Sequence, residues 1–160
     1  MPTLDKTIAH LQHLQSTCRQ ARRTCRQFAA GKGSAQLRHF LGEREREHEA
    51  LLACLHTQIT TYGGRPAWRL DLAHFWQRCW LELKMRAPSG DDRARLETTS
   101  RLESLLRRRF ENLLAQELAT PFRQQLSEHH QRALQRARQL QAARDDWPLL
   151  DVLAPSAAPD

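Results

Sequence analysis

Glu45 and His48 stand three residues apart in the run Gly42-Glu43-Arg44-Glu45-Arg46-Glu47-His48-Glu49, the spacing that puts a carboxylate and an imidazole on one side of a helix. Such a Glu-x-x-His pair supplies half of a di-iron carboxylate centre, which takes a carboxylate from each of two helices and a Glu-x-x-His pair from each of two others. Glu103 offers a third ligand. The complementary half is missing, because Asp5 is the only acid between Leu4 and Phe28, and Arg22 and Arg23 are basic where a ligand would be sought. Further along, Glu128, His129 and His130 contain no Glu followed three residues later by His.

Two readings of these residues follow. In the first, His48 is a core imidazole beside a carboxylate, and Arg44 with Glu103 forms a buried ion pair that fixes helix register while adding little net stability. In the second, Glu45, His48, Glu103 and His129 hold iron, or His48, Glu103 and His129 combine with the Cys18 thiol around zinc. The first requires no cofactor and is the expectation carried forward. Other chemistry has less support: the chain has no Gly-x-Ser-x-Gly elbow, no phosphate-binding loop and no His-Glu-x-x-His. Cys18, Cys25, Cys54 and Cys79 lack the C-x-x-C spacing of a zinc ribbon and fall on apolar stripes, where thiols are inert.

The elements that must position these groups are helices. Leu4, Ile8, Leu11, Leu14, Cys18, Ala21, Cys25 and Phe28 repeat at three and four residues, predicting a first long helix that ends at Gly31-Lys32-Gly33. Ser34 is the N-cap of a second, whose stripe runs Leu37, Phe40, Leu41, then Leu51, Leu52, Leu55 and Ile59. Extending that spacing through the charged middle places Arg44 and His48 inward. Tyr62-Gly63-Gly64-Arg65-Pro66 ends the helix. A third long helix carries Leu96, Leu102, Leu105, Leu106, Phe110, Leu113, Leu114 and Leu118, with Glu103 on its inward side. Thr120-Pro121 opens a fourth, a capping hydroxyl before proline, with Phe122, Leu126, His129, Ala133, Ala137 and Leu140 inward.

Between the second and third helices lie about 25 residues that include Trp68, Phe75, Trp76 and Trp80, patterned as a short helix. A connection of that length can traverse a bundle, so the expected fold is all-α: a ferritin-like four-helix bundle with a long crossover carrying a short Trp-rich helix. An up-down-up-down bundle with a folded insertion is the competing topology. With 160 residues and 18.6 kDa, one domain over 1–146 is expected, followed by a tail over 147–160 without fixed structure. Few aromatics and six glycines disfavour an all-β fold.

These residues resemble an uncharacterised bacterial family of ferritin-like four-helix-bundle proteins defined by a domain of unknown function. The resemblance rests on Thr7-Ile8 to Cys18, Leu41-Gly42-Glu43-Arg44, Tyr62-Gly63-Gly64 with Trp80-Leu81-Glu82-Leu83-Lys84, Arg101-Leu102-Glu103, and Arg138 to Asp145, covering about residues 4–145. It implies the fold and a crossover with a short helix, and carries almost no biochemistry.

A mean hydropathy of −0.69, with Leu51 to Leu55 the longest apolar run, excludes a membrane-spanning helix, and the polar N-terminal residues leave no secretory core, so a cytoplasmic protein is expected. The net charge of +7 invites nucleic acid, yet lysine occurs only at 6, 32 and 84, and the arginines are scattered over every segment. Mixed-charge helix faces explain that pattern, and nucleic-acid binding is not expected. The functional expectation is a non-enzymatic bundle acting as a homodimer or through an unidentified protein partner. Trp68, Phe75, Trp76 and Trp80 are its interface candidates, because they exceed what one short helix buries on one bundle face, the alternative being that these rings plug one end or side of the bundle. The alternative is a metal-binding protein of iron or oxidative-stress chemistry with a degenerate site.

Overall fold

The computed structural model describes residues 2–31, 33–65 and 92–145. Four α-helices account for nearly all of them: α1 (Pro2–Ala30), α2 (Ala35–Thr61), α3 (Asp92–Leu114) and α4 (Thr120–Asp145). The described residues contain no strand. The expected Trp-rich crossover helix, with Trp68, Phe75, Trp76 and Trp80, and the tail over 147–160 lie outside the described residues.

Local chemistry sets the helix ends. The Ser34 hydroxyl accepts a hydrogen bond from the Leu37 N–H (3.2 Å) and caps α2. At the other end Gly63 adopts φ +77°, its N–H donates to the Thr60 carbonyl (3.0 Å), and the Gly64 N–H reaches the Ile59 carbonyl (2.9 Å). This is a Schellman termination, and its left-handed position is one that glycine adopts without a Cβ penalty. The last carbonyls of α3 are met differently: Arg123 Nη1 donates to Leu114 O (2.8 Å) and Nη2 to Gln116 O (2.6 Å), tying the start of α4 to the end of α3. Helix α4 begins at the expected hydroxyl cap, one residue before the proline expected to open it, because the Arg123 N–H bonds the Ala119 carbonyl (2.9 Å) and Thr120 is already helical.

Contacts at the two ends fix the helix directions. The Ser34 N–H donates to Asp92 Oδ2 (3.1 Å), joining the α1–α2 turn to the first residue of α3. A Cβ on Gly33 would lie 2.5 Å from Asp92 Oδ1, so a larger residue there would displace the Asp92 side chain. Leu140 and Ala143, near the end of α4, pack in the same cluster as Phe28, Leu37 and Leu96. At the opposite end Gln12 Nε2 donates to the Arg65 carbonyl (2.7 Å). Helices α1 and α4 therefore run one way and α2 and α3 the other, and Arg65 and Asp92 lie at opposite ends. Of the two topologies left open by the sequence, the contacts show α2 and α3 parallel. Helix α1 packs on α2 and α3, while α4 packs on α3 and touches α2.

The core has two apolar halves. One contains Cys25, Phe28, Leu37, Phe40, Leu41, Leu96, Leu140 and Ala143. The larger draws on all four helices, including Leu11, Leu14, Leu55, Leu106, Phe110, Phe122 and Leu126. Positions 44 and 48 fall between the two halves along α2, and Glu103 of α3 meets Arg44 there. Several expectations about the inward face are corrected: Ile8, Leu52, Leu105 and Leu114 are half-buried, and Leu118 lies beyond the end of α3. Leu4 is 41% exposed, because Gly64 already lies against Ile8 and α1 runs on past the end of α2. His129 and Ala137 are half-buried, since the buried line of α4 runs through Ala133, Leu140 and Ala143.

Candidate functional site

Mid-bundle, the charged middle of α2 meets α3 and α4. Arg44 and Glu103 are each 3% exposed and His48 is 1% exposed. The guanidinium grips Glu103 with two bonds, Nε to Oε1 at 2.5 Å and Nη2 to Oε2 at 2.8 Å, and its Nη1 donates to Glu47 Oε2 at 2.8 Å. From α4, Arg136 Nε donates to Glu47 Oε1 at 3.0 Å, and its Nη2 lies 3.4 Å from Glu43 Oε2. Arg136 also stands over the Phe40 ring, 5.3 Å from its centroid. The result is a layer of alternating charge, Glu103–Arg44–Glu47–Arg136, spanning three helices.

Every charge in this layer has a designed neighbour. Burial by itself disfavours the Arg44 cation, but Glu103 and then Glu47 outweigh it and raise its pKa above the ordinary arginine value. Burial likewise pushes Glu47 up, and the bonds from Arg136 and Arg44 more than reverse this, leaving it below the usual carboxylate range. Both groups are ionised at neutral pH.

His48 is the exception. Desolvation, assisted by the neighbouring Arg44 charge, holds its pKa well below the ordinary 6.5, so the ring is neutral. Its Nε2 sits 3.7 Å from Glu103 Oε1, too far for a hydrogen bond, and a neutral ring makes no ion pair there. On its other side Nδ1 faces Cys18 Sγ at 3.8 Å, and the thiol donates to the His48 carbonyl at 3.4 Å. Burial raises the Cys18 pKa to about 12, so the thiol stays protonated at neutral pH and is no nucleophile.

A buried neutral histidine has a measurable consequence. The unfolded chain takes up a proton near pH 6.5 and the folded chain does not, so stability is full above that pH and declines as pH falls below it. One such group gives a slope of up to about 1.4 kcal/mol per pH unit. Denaturant titrations between about pH 7 and pH 5 should show this slope reduced by about that amount in His48→Gln, the remainder arising from other histidines with lowered pKa, such as His129 and His130. An identical slope in the variant would mean that His48 protonates freely in the folded chain.

The residues proposed as a metal set do not converge. His48 and Glu103 meet, but both oxygens of Glu103 are engaged by Arg44. Glu45 turns toward α1, where it lies 3.8 Å from Arg26 Nε. His129 is half-buried, and its pKa is lowered by burial and Arg132. Among the described residues no group of three or more His, Cys, Asp or Glu side chains is placed to hold a metal ion. The donor set thus does not fit iron or zinc, since the cation that balances Glu103 belongs to the protein itself. Two members of the layer, Glu47 and Arg136, escape sequence reasoning. The signal for Arg136 lies in the Ala133 to Leu140 interval, where an arginine stands beside a small alanine on the inward edge of α4.

Four long helices, with α2 parallel to α3 and an ion-pair layer between two apolar half-cores, define an all-α helical-bundle protein. The chain belongs to the family described as domain of unknown function (DUF2383), which matches it over residues 6–116. That match takes in α1, α2 and α3, including Arg44, His48 and Glu103, and ends before α4. No curated protein matches the chain. Among the described residues no helix is long and apolar enough to cross a membrane.

Proposed function

We propose that this is a non-enzymatic, ferritin-like bundle of bacterial cytoplasmic type that acts by self-association as a homodimer, with Trp68, Phe75, Trp76 and Trp80 as its contact residues. The observation that carries this reading is the internal saturation of the polar layer. Arg44 holds Glu103, Arg44 and Arg136 hold Glu47, and the Cys18 thiol is protonated, so this interior polar cluster of the described residues is committed to the fold. Function then belongs to the surface. The described surface is polar, with Leu4 its one exposed large hydrophobic residue, which leaves the tryptophan-rich sequence as the source of apolar contact area.

The test is light scattering on a size-exclusion peak, with elemental analysis of the same fractions. Wild-type protein should elute at twice the 18.6 kDa chain mass and carry no stoichiometric metal. Trp76→Ala and Trp80→Ala should each weaken dimerisation about 30-fold or more while helicity is retained, the effect of truncating an aromatic anchor worth about 2 kcal/mol. A wild-type monomer at all concentrations, or dimers indifferent to both substitutions, would overturn the reading. One or two equivalents of tightly held iron, manganese or zinc would replace it with the metal-binding one.

A further inference from the structure

We propose that Lys6, His10, His13 and Arg109 form a binding site for a phosphate group, free or carried on a small molecule, where α1 packs on α3. Residues 6, 10 and 13 are spaced four and three apart and so follow one side of α1 over two turns, about 10 Å of helix. The His10 and His13 rings stand edge to face with centroids 6.3 Å apart. From α3, Arg109 Nη1 lies 3.4 Å from His13 Nδ1. Arginine can only donate, so His13 accepts at Nδ1 and carries its proton on Nε2, where it is a second donor. The Arg109 Nε is fully buried and has no hydrogen-bond partner among the described residues. A guanidinium N–H left without an acceptor is costly inside a protein.

The cluster therefore gathers two permanent cations and two imidazoles, each able to offer an N–H, with no anionic acceptor. The charged groups acting on His10 are Lys6 and Arg109, and those acting on His13 are Arg109 and His10, with no carboxylate from either helix among them. After desolvation, these positive neighbours push both imidazole pKa values below 6.5. Like charges gathered without a counter-ion are unfavourable, and an anion removes the repulsion and accepts from the Arg109 guanidinium. Two permanent cations match the double charge of a phosphate or sulfate better than the single charge of a carboxylate. This site is distinct from the ion-pair layer, and nothing in it depends on self-association.

Sulfate is the probe of choice, because its charge is constant over the pH range used. Side-chain NMR of His10 and His13 in the full chain, at fixed ionic strength, should show saturable shifts on adding sulfate. Affinity should rise about tenfold from pH 7.5 to pH 5.5, because binding favours the protonated imidazoles. Arg109→Lys keeps the charge but removes the planar guanidinium fork and should weaken binding about tenfold. His13→Ala is a second variant should the first fail to fold, with far-UV circular dichroism as the check on both. Shifts that do not saturate, or that are unchanged in the variants, mean an adventitious ion only and overturn the proposal. If sulfate binds, equal affinity for inorganic phosphate and glycerol phosphate assigns the site to the free ion, and tighter binding of glycerol phosphate assigns it to a phosphomonoester.

Discussion

Glu103→Leu is expected to lower the unfolding free energy by about 3–5 kcal/mol, because it leaves the buried Arg44 guanidinium without its main partner. Arg44 makes two of its three charge-assisted bonds to Glu103, and the third, to Glu47, also has to serve Arg136. A loss of that size is a large fraction of the roughly 5–15 kcal/mol that holds a domain of ordinary stability. The double variant Arg44→Met with Glu103→Leu should recover most of it, since two apolar side chains of similar volume then join the apolar half-cores on either side. Urea titration of wild type, both single variants and the double variant gives the coupling directly. A Glu103→Leu loss below about 1 kcal/mol would mean that Arg44 swings to water or to Glu47 at little cost. Failure of the double variant to recover would place the value of the layer outside this pair, in Glu47 and Arg136.

That comparison also bears on why a charged layer interrupts an otherwise apolar core. Leucines alone would let the helices slide by a turn with little penalty, whereas Arg44 can reach Glu103 in one register only. On this argument the double variant should remain stable yet lose uniqueness of packing, visible as broadened side-chain NMR signals. The register role is tested separately from the stability role, because buried ion pairs often contribute little to the latter.

The helices were legible because their apolar spacing and end signals agree. Ser34, Gly63 and Gly64 sit where the stripes of α2 begin and end, and each makes the hydrogen bond its type favours. Arg44 and His48 were legible inside a run of charge because the stripe of Leu37 to Leu41 resumes at Leu51, and only inward positions 44 and 48 connect the two. Apolar periodicity does not register residues whose polarity is neutralised locally. Thr7, Thr17, Thr98 and Thr99 are buried, yet each hydroxyl donates to a carbonyl four residues earlier and so satisfies itself within its own helix.

The site was half legible for a different reason. A charged residue's partner is set by the rotation and offset of two helices, which composition along one chain does not carry. Glu103 could be matched with Arg44 because both fall on inward stripes. Glu45 and His48 satisfy the Glu-x-x-His pattern, but positions 45 and 48 still differ by about 60° around the helix axis, and only His48 faces the core. Glu45 turns to the α1 side and Arg26. Glu47, off the apolar stripe, is drawn in by Arg44 at i−3 and by Arg136 from α4, a contact that no pattern on α2 announces.

Phe110→Ala tests the larger apolar half-core and should cost about 3–5 kcal/mol, comparable to the loss of Glu103 but by a different mechanism. Phe110 is fully buried on α3 in the cluster that draws on all four helices, so no single helix can shift to fill the space its ring leaves. Phe110→Leu, which keeps most of the volume, should cost about 1–1.5 kcal/mol. The ring also stacks on His130 at 5.4 Å between centroids, and burial is the main cause of the lowered pKa of that imidazole. Removing the ring should wet His130 and bring its pKa up toward 6.5, while the pKa of His48, in the polar layer beyond the cavity, stays depressed. Urea midpoints and NMR titration of the two histidines separate these effects. A small stability loss with an unchanged His130 would mean that α3 and α4 collapse into the cavity, whereas a rise at both histidines would show that the two half-cores and the layer between them open as one unit.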